Sequence, residues 1–217
     1  MPPVVSIVGK SRSGKTIVVE RLIRELRSRA YRVATIKHAP RGASFDEPGK
    51  DSWRHIEAGS ETVVVSSPNN IVLVKPVSED ASVEELVRLL GEDYDIILAE
   101  GFKQGSAPKI EVHRKEVGVP LRDIKKLIAI VTDEPLETKV RQFSFEDSKG
   151  LADLLERGFI KPQKERISLY VNNTPVPLTT FPKQIIKNVL VAMVSCLKGV
   201  KEVTSLQIFL REEDARK

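Results

Sequence analysis

Eight residues near the start of the chain have the types and spacing of a phosphate-binding loop: Gly9-Lys10-Ser11-Arg12-Ser13-Gly14-Lys15-Thr16. They match G-x-x-x-x-G-K-[ST], in which backbone N–H groups surround a polyphosphate. In such a loop Lys15 reaches the β- and γ-phosphates and the Thr16 hydroxyl ligates Mg²⁺. We predict a nucleotide-phosphate site; the alternative is a chance match in an ordinary β-turn-α unit. The predicted binding residues are Gly9, Ser11, Arg12, Ser13, Gly14, Lys15 and Thr16, with Lys15 also catalytic and Thr16 a metal ligand.

A carboxylate that supports the metal ion is expected at the end of a neighbouring strand. The run Asp95-Ile96-Ile97-Leu98-Ala99-Glu100 reads as a buried strand with an acid at each end. Glu100 lies at the carboxyl end, where parallel sheets bind ligands, whereas Asp95 lies at the opposite edge. We therefore predict Glu100 as a catalytic and metal-supporting acid, with Lys103 as a binding residue nearby. The alternative is a plain ion pair between Glu100 and Lys103.

The segment from Ser44 to His55 gathers acids, cations and a histidine, which together can bind a metal ion, a phosphate or a polar heterocycle. It follows the second predicted strand and is long for a routine connection, and such loops are often functional. We predict that Asp46, Lys50, Asp51 and Arg54 line a crevice beside the phosphate loop. The alternative is a solvated loop whose acids and lysines pair with each other.

A loop that reads the nucleobase is predicted at Thr132-Asp133-Glu134-Pro135, directly after a predicted strand. Asp133 can accept hydrogen bonds from the N1–H and N2–H groups of guanine. The usual guanine-reading motif of signalling GTPases, N-K-x-D or T-K-x-D after a strand, is absent from the sequence. Asp133 is therefore predicted as a binding residue from its position after a strand, and no known sequence motif supports the prediction.

Alternating strands and helices must position these residues. Val4–Val8 is a β-branched run typical of a buried strand, and apolar residues then recur at helical spacing up to Arg29. Asp51 is a candidate N-cap for a short helix. Ser82 and Glu85 form a capping box for another helix. We predict an α/β fold, a P-loop NTPase domain with a mostly parallel sheet flanked by helices. The further predicted strands are 32–37, 61–66, 70–75, 95–100, 109–113 and 127–131, and the further helices are 52–58, 82–90 and 147–157.

A second, smaller unit is predicted after a change of composition at Lys161-Pro162-Gln163-Lys164-Glu165. We predict a nucleotide-binding domain at 1–160, a linker at 161–165, a ββαβ appendage at 166–211 and a tail at 212–217. The appendage would contain a hairpin of strands 167–171 and 176–180, a helix from Pro182 to Leu197 that Gly199 ends, and a last strand from Ser205 to Leu210. Cys196 is expected in the apolar core of this helix.

Composition narrows the class of protein. The chain has 217 residues, 30% of them charged, and a formal net charge of +5. This mild positive charge favours anionic ligands, yet no basic run interleaved with aromatic residues indicates nucleic acid. A single cysteine fits a reducing compartment. The first strand begins almost at once, and the longest apolar run is much shorter than a membrane span. We expect a cytoplasmic protein without nucleic-acid or membrane partners.

Several of these pieces together resemble one family, the molybdopterin-guanine dinucleotide biosynthesis adapter proteins (MobB). The matching residues are Gly9–Thr16, Ile36-Lys37-His38, Phe45–Ser52 with Arg54-His55, Ala58-Gly59, and Ala99–Lys103 running on to Pro108–Glu111. They cover about the first 115 residues in order, and the string F-D-x-P-G-K-D-S is more specific than a phosphate loop alone. The sequence departs from the family after His38, where Ala39-Pro40-Arg41-Gly42 replaces further histidines, and in its C-terminal unit.

The resemblance implies GTP binding with Mg²⁺, weak GTP hydrolysis and homodimerisation. It also implies an accessory role in attaching GMP to molybdopterin, with the transfer itself performed by a separate guanylyltransferase partner. Three alternatives from other classes stay open on the sequence. One is a small-molecule kinase or ligase of the dethiobiotin-synthetase type, and another is a metallochaperone GTPase, which the few histidines and single cysteine disfavour. In the third, the C-terminal unit is a protein-interaction module and the phosphate loop acts as its switch.

Overall fold

The computed structural model describes residues 1–40, 42, 46–163, 167–172 and 174–210. The chain divides into two units, Met1–Lys164 and Glu165–Lys217. The predicted tail at 212–217 and the Ser44-Phe45 part of the polar segment lie outside the described residues.

A six-stranded parallel sheet forms the first unit, in the order β2-β5-β1-β6-β7-β8. The predicted α/β fold with a mostly parallel sheet is confirmed. Because β1 is central, the loop that follows it opens at the middle of the carboxyl edge of the sheet. The strands are β1 Val4–Val8, β2 Val33–Lys37, β5 Ile96–Glu100, β6 Lys109–His113, β7 Leu127–Thr132 and the short β8 Gln142–Phe143.

Helices cover both faces of this sheet. On one face lie α1 (Lys15–Ser28) and α4 (Ser148–Leu155), and on the other lies α3 (Val83–Leu90). Helix α1 buries Val18, Leu22 and Leu26 of its predicted apolar face together with Val19, whereas Ile17 is 44% exposed. Full burial of one such leucine contributes about 1.5–3 kcal/mol to folding. The predicted capping box at the start of α3 is present, with Ser82 accepting from the Glu85 N–H.

Strand β6 carries a polar row on the face away from α1: Lys109, Glu111 and His113 are almost fully buried. Two of these side chains form hydrogen bonds to loops beside the strand. The Lys109 ammonium donates to the carbonyls of Gly105 and Ala107 at 2.6 and 2.8 Å, and the Glu111 carboxylate accepts from the Leu121 N–H at 2.6 Å. The predicted strand therefore acts as an anchor for the loops at both of its ends.

The predicted hairpin forms as a separate two-stranded antiparallel sheet, β3 (Val63–Ser66) with β4 (Ile71–Val74). The short helix α2 (Asp51–Glu57) precedes it. The prediction of Asp51 as N-cap was wrong. Lys50 has the extended backbone of the N-cap, and Asp51 begins the helix, where its negative charge favours the positive end of the helix dipole.

The second unit contains a hairpin of β9 (Leu169–Val171) and β10 (Thr174–Val176), followed by α5 (Thr180–Ser195). The predicted last strand is wrong, because residues 205–210 pair with no strand in the part of the chain that the structure describes. The helix ends before Gly199, and Cys196 is exposed at its C-cap. The expectation of a buried cysteine failed because this unit has too little sheet to bury the broad apolar surface of α5. No helix within the described ranges is long and apolar enough to cross a membrane.

Candidate functional site

The phosphate loop connects β1 to α1 and ends at Gly14, the N-cap residue of α1. Gly14 has a φ of +92°, in the left-handed region that favours glycine. No side chain caps this helix end, so the N–H groups of its first turn stay available to a ligand. An uncapped helix N-terminus with a preceding glycine turn is a site for a negatively charged phosphate.

The two glycines of the motif also leave no space for a side chain. A Cβ at Gly9 would lie 2.4 Å from the Val112 carbonyl oxygen and 2.6 Å from the Ser13 hydroxyl. A Cβ at Gly14 would lie 3.0 Å from the Phe145 ring and 3.3 Å from the Arg114 guanidinium. The close packing of the loop against the ends of β6 and β8 therefore requires glycine at both positions.

Lys15 folds back over its own loop. Its ammonium donates to the carbonyl oxygens of Lys10 at 2.7 Å and Gly9 at 3.3 Å. Burial lowers the pKa of Lys15, and the neighbouring ammonium groups of Lys103 and Lys37 lower it further, against the opposing effect of Glu100. A phosphate oxygen would satisfy the Lys15 ammonium better than the neutral carbonyls do, because both partners would then be charged.

Glu100 and Thr16 meet above the start of α1. The Thr16 hydroxyl lies 3.1 and 3.3 Å from the two carboxylate oxygens of Glu100, to which it donates. Asp95 lies at the other end of β5, where its carboxylate accepts from the Arg32 N–H. The structure thus brings Glu100, and not Asp95, to the phosphate loop. Lys103 makes no ion pair with Glu100 among the described residues.

The remaining loop residues differ in exposure. Ser11 and Arg12 are exposed at the tip of the loop. Ser13 is fully buried, and its hydroxyl has no hydrogen-bond partner among the described residues. A buried hydroxyl without a partner costs roughly 1–3 kcal/mol, which is the kind of cost that functional sites retain.

A cleft of about 560 Å³ opens beside the loop, lined by Arg114 after β6 and by residues at the ends of β7 and β8 and directly after them. Its volume lies within the range of small-molecule sites. Asp133, predicted to read the base, lines it together with Arg114 and Phe145. The Arg114 guanidinium stacks on the Phe145 ring at 4.2 Å. Asp133 accepts from the Lys115 N–H at 2.9 Å and lies 3.7 Å from Arg114.

Arg114 and Phe145 line the cleft but were not among the site residues predicted from the sequence. Arg114 directly follows a buried strand, so the rule that ligands bind at the carboxyl edge could have indicated it. Phe145 follows the two-residue strand β8, which has too little length to show a periodic pattern.

The polar segment pairs its charges internally. Lys50 lies 2.9 Å from Glu47, and Arg54 lies 3.5 Å from Asp51. Asp46 accepts from the Ser52 hydroxyl at 2.9 Å. These contacts fit the alternative of a solvated loop with its own ion pairs.

Comparison with known proteins gives consistent matches. The family model for molybdopterin guanine dinucleotide synthesis protein B (MobB) matches residues 4–133 and ends before the C-terminal unit. A molybdopterin-guanine dinucleotide biosynthesis adapter protein of Haemophilus influenzae is 39% identical over 159 residues, covering 71% of this chain and 88% of that protein. The adapter protein of Escherichia coli K12 is 32% identical over 161 residues, covering 71% and 92%. A crystal structure of molybdopterin-guanine biosynthesis protein B superposes with a TM-score of 0.57 at 28% identity, covering 71% of this chain and 98% of that one.

Proposed function

The chain belongs to the molybdopterin guanine dinucleotide synthesis protein B family, and from that membership we propose that it is a nucleotide-binding adapter in molybdopterin guanine dinucleotide biosynthesis. The observation that carries the proposal is the Thr16–Glu100 contact at the uncapped start of α1. A hydroxyl and a carboxylate beside free helical N–H groups are what a magnesium–nucleotide complex needs.

The nucleotide phosphates occupy the loop from Gly9 to Thr16. The N–H groups of the first turn of α1 donate to phosphate oxygens, and the Lys15 ammonium exchanges its two carbonyl partners for them. Lys15 then neutralises charge on the β- and γ-phosphates. The Lys15 backbone already starts α1, so the exchange concerns the Lys15 side chain.

Thr16 and Glu100 would hold Mg²⁺, the Thr16 hydroxyl directly and the Glu100 carboxylate through a water molecule. Both residues supply oxygen, the ligand type that Mg²⁺ prefers. Among the described residues no group of three His, Cys, Asp or Glu side chains could hold a metal ion. The metal ion would therefore arrive with the nucleotide, whose phosphates complete its coordination.

GTP is the proposed nucleotide, with its base in the cleft that Arg114, Asp133 and Phe145 line. The cleft lies beside Gly14, because a Cβ added there would come within 3.0 Å of Phe145 and 3.3 Å of Arg114, which both line the cleft. The Asp133 carboxylate accepts from the Lys115 N–H and lies 3.7 Å from the Arg114 guanidinium, and a carboxylate has about four lone-pair sites in all. The free sites can accept from the N1–H and N2–H groups that distinguish guanine from adenine.

We propose that hydrolysis is weak. Fast hydrolysis needs a residue that orients the attacking water. Glu100 directs both carboxylate oxygens at Thr16, so it serves the metal ion rather than the water. The protein would hold its nucleotide for a guanylyltransferase partner that acts on molybdopterin, and it would work as a homodimer.

The test combines binding and product formation. Mg·GTP affinity is measured by calorimetry for the wild type, Lys15→Ala and the exposed, unpaired control Lys125→Ala. Dinucleotide formation is then measured with a purified guanylyltransferase and molybdopterin. We expect Lys15→Ala to abolish GTP binding and stimulation together, with Lys125→Ala unaffected. Fast phosphate transfer to a small metabolite, or GTP binding by Lys15→Ala, would refute the proposal.

A further inference from the structure

Two lysines near Glu100 have no partner. The side chains of Lys37, the last residue of β2, and Lys103, in the loop after β5, make no ion pair or hydrogen bond with any described residue. We call them the lysine pair. Lys50 and Arg54, the cations expected from the sequence to line the crevice, already pair with Glu47 and Asp51. The unpaired positive charge of this region therefore lies on the lysine pair.

The sheet fixes where Lys37 points. Lys37 is the register partner of Glu100 in the parallel pairing of β2 with β5. Its neighbour Ile36 packs in the cluster on the α3 face, so Lys37 is on the α1 face, the same face as Glu100. Strand β5 lies between β1 and β2, and strands are about 4.8 Å apart. Lys37 is thus on the far side of Glu100 from the phosphate loop.

The backbone around the lysine pair is locked. The His38 N–H donates to the Glu100 carbonyl at 3.0 Å, which extends the pairing of the strands beyond Lys37. The His38 ring stacks on Phe102 at 4.8 Å, and Asp80 lies 3.1 Å from its Nε2. A Cβ at Gly101 would lie only 3.0 Å from the His38 Cβ. These contacts hold residues 100–102 against residues 37–38, and the Gly105 N–H donates to the Phe102 carbonyl at 3.1 Å, which closes the turn that carries Lys103.

The charged side chains around Glu100 indicate that the ligand is an anion. Lys37 is the register partner of Glu100, and Lys103 follows Glu100 in the loop after β5, so both ammonium groups start close to the Glu100 carboxylate. Glu100 is the opposing charge in this group, and its carboxylate is engaged with Thr16. Bound nucleotide phosphates would neutralise Lys15 but lie on the other side of Glu100. Two cations then remain for a second anion.

We propose that the lysine pair binds the phosphate monoester of a second substrate, beside the metal-bound end of the nucleotide. A dianionic phosphate suits two ammonium groups, each of which donates a charge-assisted hydrogen bond. This inference rests on the proposed nucleotide site, because it assigns the place next to it. It puts the acceptor phosphate on Lys37 and Lys103 and leaves the polar segment 46–54 outside this contact.

The experiment uses phenyl phosphate as the probe, titrated by calorimetry at constant ionic strength into protein saturated with Mg²⁺ and a non-hydrolysable GTP analogue. Wild type, Lys37→Gln, Lys103→Gln and the exposed control Lys125→Gln are compared. We expect binding to the wild type and the control, and a loss of about tenfold or more in each lysine-pair variant, because one charge-assisted hydrogen bond is removed. Benzenesulfonate, a monoanion of similar shape, should bind more weakly than phenyl phosphate.

Nucleotide affinity distinguishes a site for a second phosphate from a contact between Lys37 and the γ-phosphate of the nucleotide. The ratio of GTP-analogue to GDP affinity in Lys37→Gln should equal that of the wild type. A ratio that falls would mean that Lys37 holds the γ-phosphate, which overturns the inference. So would phenyl phosphate that does not bind, or that binds equally to Lys37→Gln. Failure of the nucleotide site itself would be seen separately, as undiminished GTP binding by Lys15→Ala.

Discussion

Glu100→Gln should change nucleotide binding in opposite directions with and without Mg²⁺. The substitution keeps the size of the side chain and removes one negative charge. With a Mg–O distance of about 2.1 Å to the Thr16 hydroxyl, and with that hydroxyl 3.1 Å from the carboxylate, the metal ion would lie about 4–5 Å from Glu100. In water a divalent ion and a unit charge at this distance attract by about 2 kcal/mol, or roughly 30-fold in affinity.

Without the metal ion the sign reverses. Glu100 then repels the phosphates, so its removal should tighten binding in the presence of EDTA. The assay is fluorescence titration with a labelled GTP analogue, in Mg²⁺ and in EDTA. Asp95→Asn is a matched control, because Asp95 opens the same strand at the opposite edge and binds the Arg32 N–H. If Glu100→Gln weakened binding equally in both buffers, its effect would be structural and the metal assignment would be wrong.

The other predictions concern the base and the stability of the α1–α4 contact. Asp133→Ala should lower GTP affinity about tenfold through loss of a hydrogen bond to a charged group and leave ATP affinity unchanged. If the variant bound both GTP and ATP as tightly as the wild type does, Asp133 would have no role in reading the base. Hydrogen bonds from Lys161, Arg29 and Tyr31 lower the pKa of Glu156 to about 2. Since the folded pKa is below the unfolded value of 4.5, this contribution to stability is complete above pH 4.5 and is lost as the pH falls towards 2. Melting temperatures between pH 2 and 7 should therefore fall less steeply on acidification for Glu156→Gln than for the wild type; parallel curves would contradict the linkage.

Local patterns were sufficient for the phosphate loop and most elements of the first unit. The loop needs particular residue types at fixed spacing, so Gly9, Gly14, Lys15 and Thr16 can be read from the chain directly. The capping box at Ser82 and Glu85 is equally local. Patterns failed where the structure depends on neighbours: residues 205–210 alternate like a strand but pair with no strand among the described residues, and Cys196 is exposed.

The sequence by itself determined the family, the α/β class and the choice of Glu100 as the acid nearest the loop, because each depends on order along the chain. Only the tertiary structure determined which basic side chains lack an ion-pair partner among the described residues. Lys50 and Arg54 looked available in the sequence but pair within their own segment, while Lys37, 63 positions before Glu100, becomes its neighbour through the register of β2 and β5. The cleft of Arg114, Asp133 and Phe145 likewise exists because three strands end at one edge. Spatial proximity between distant residues is set by strand order, and no local pattern encodes it.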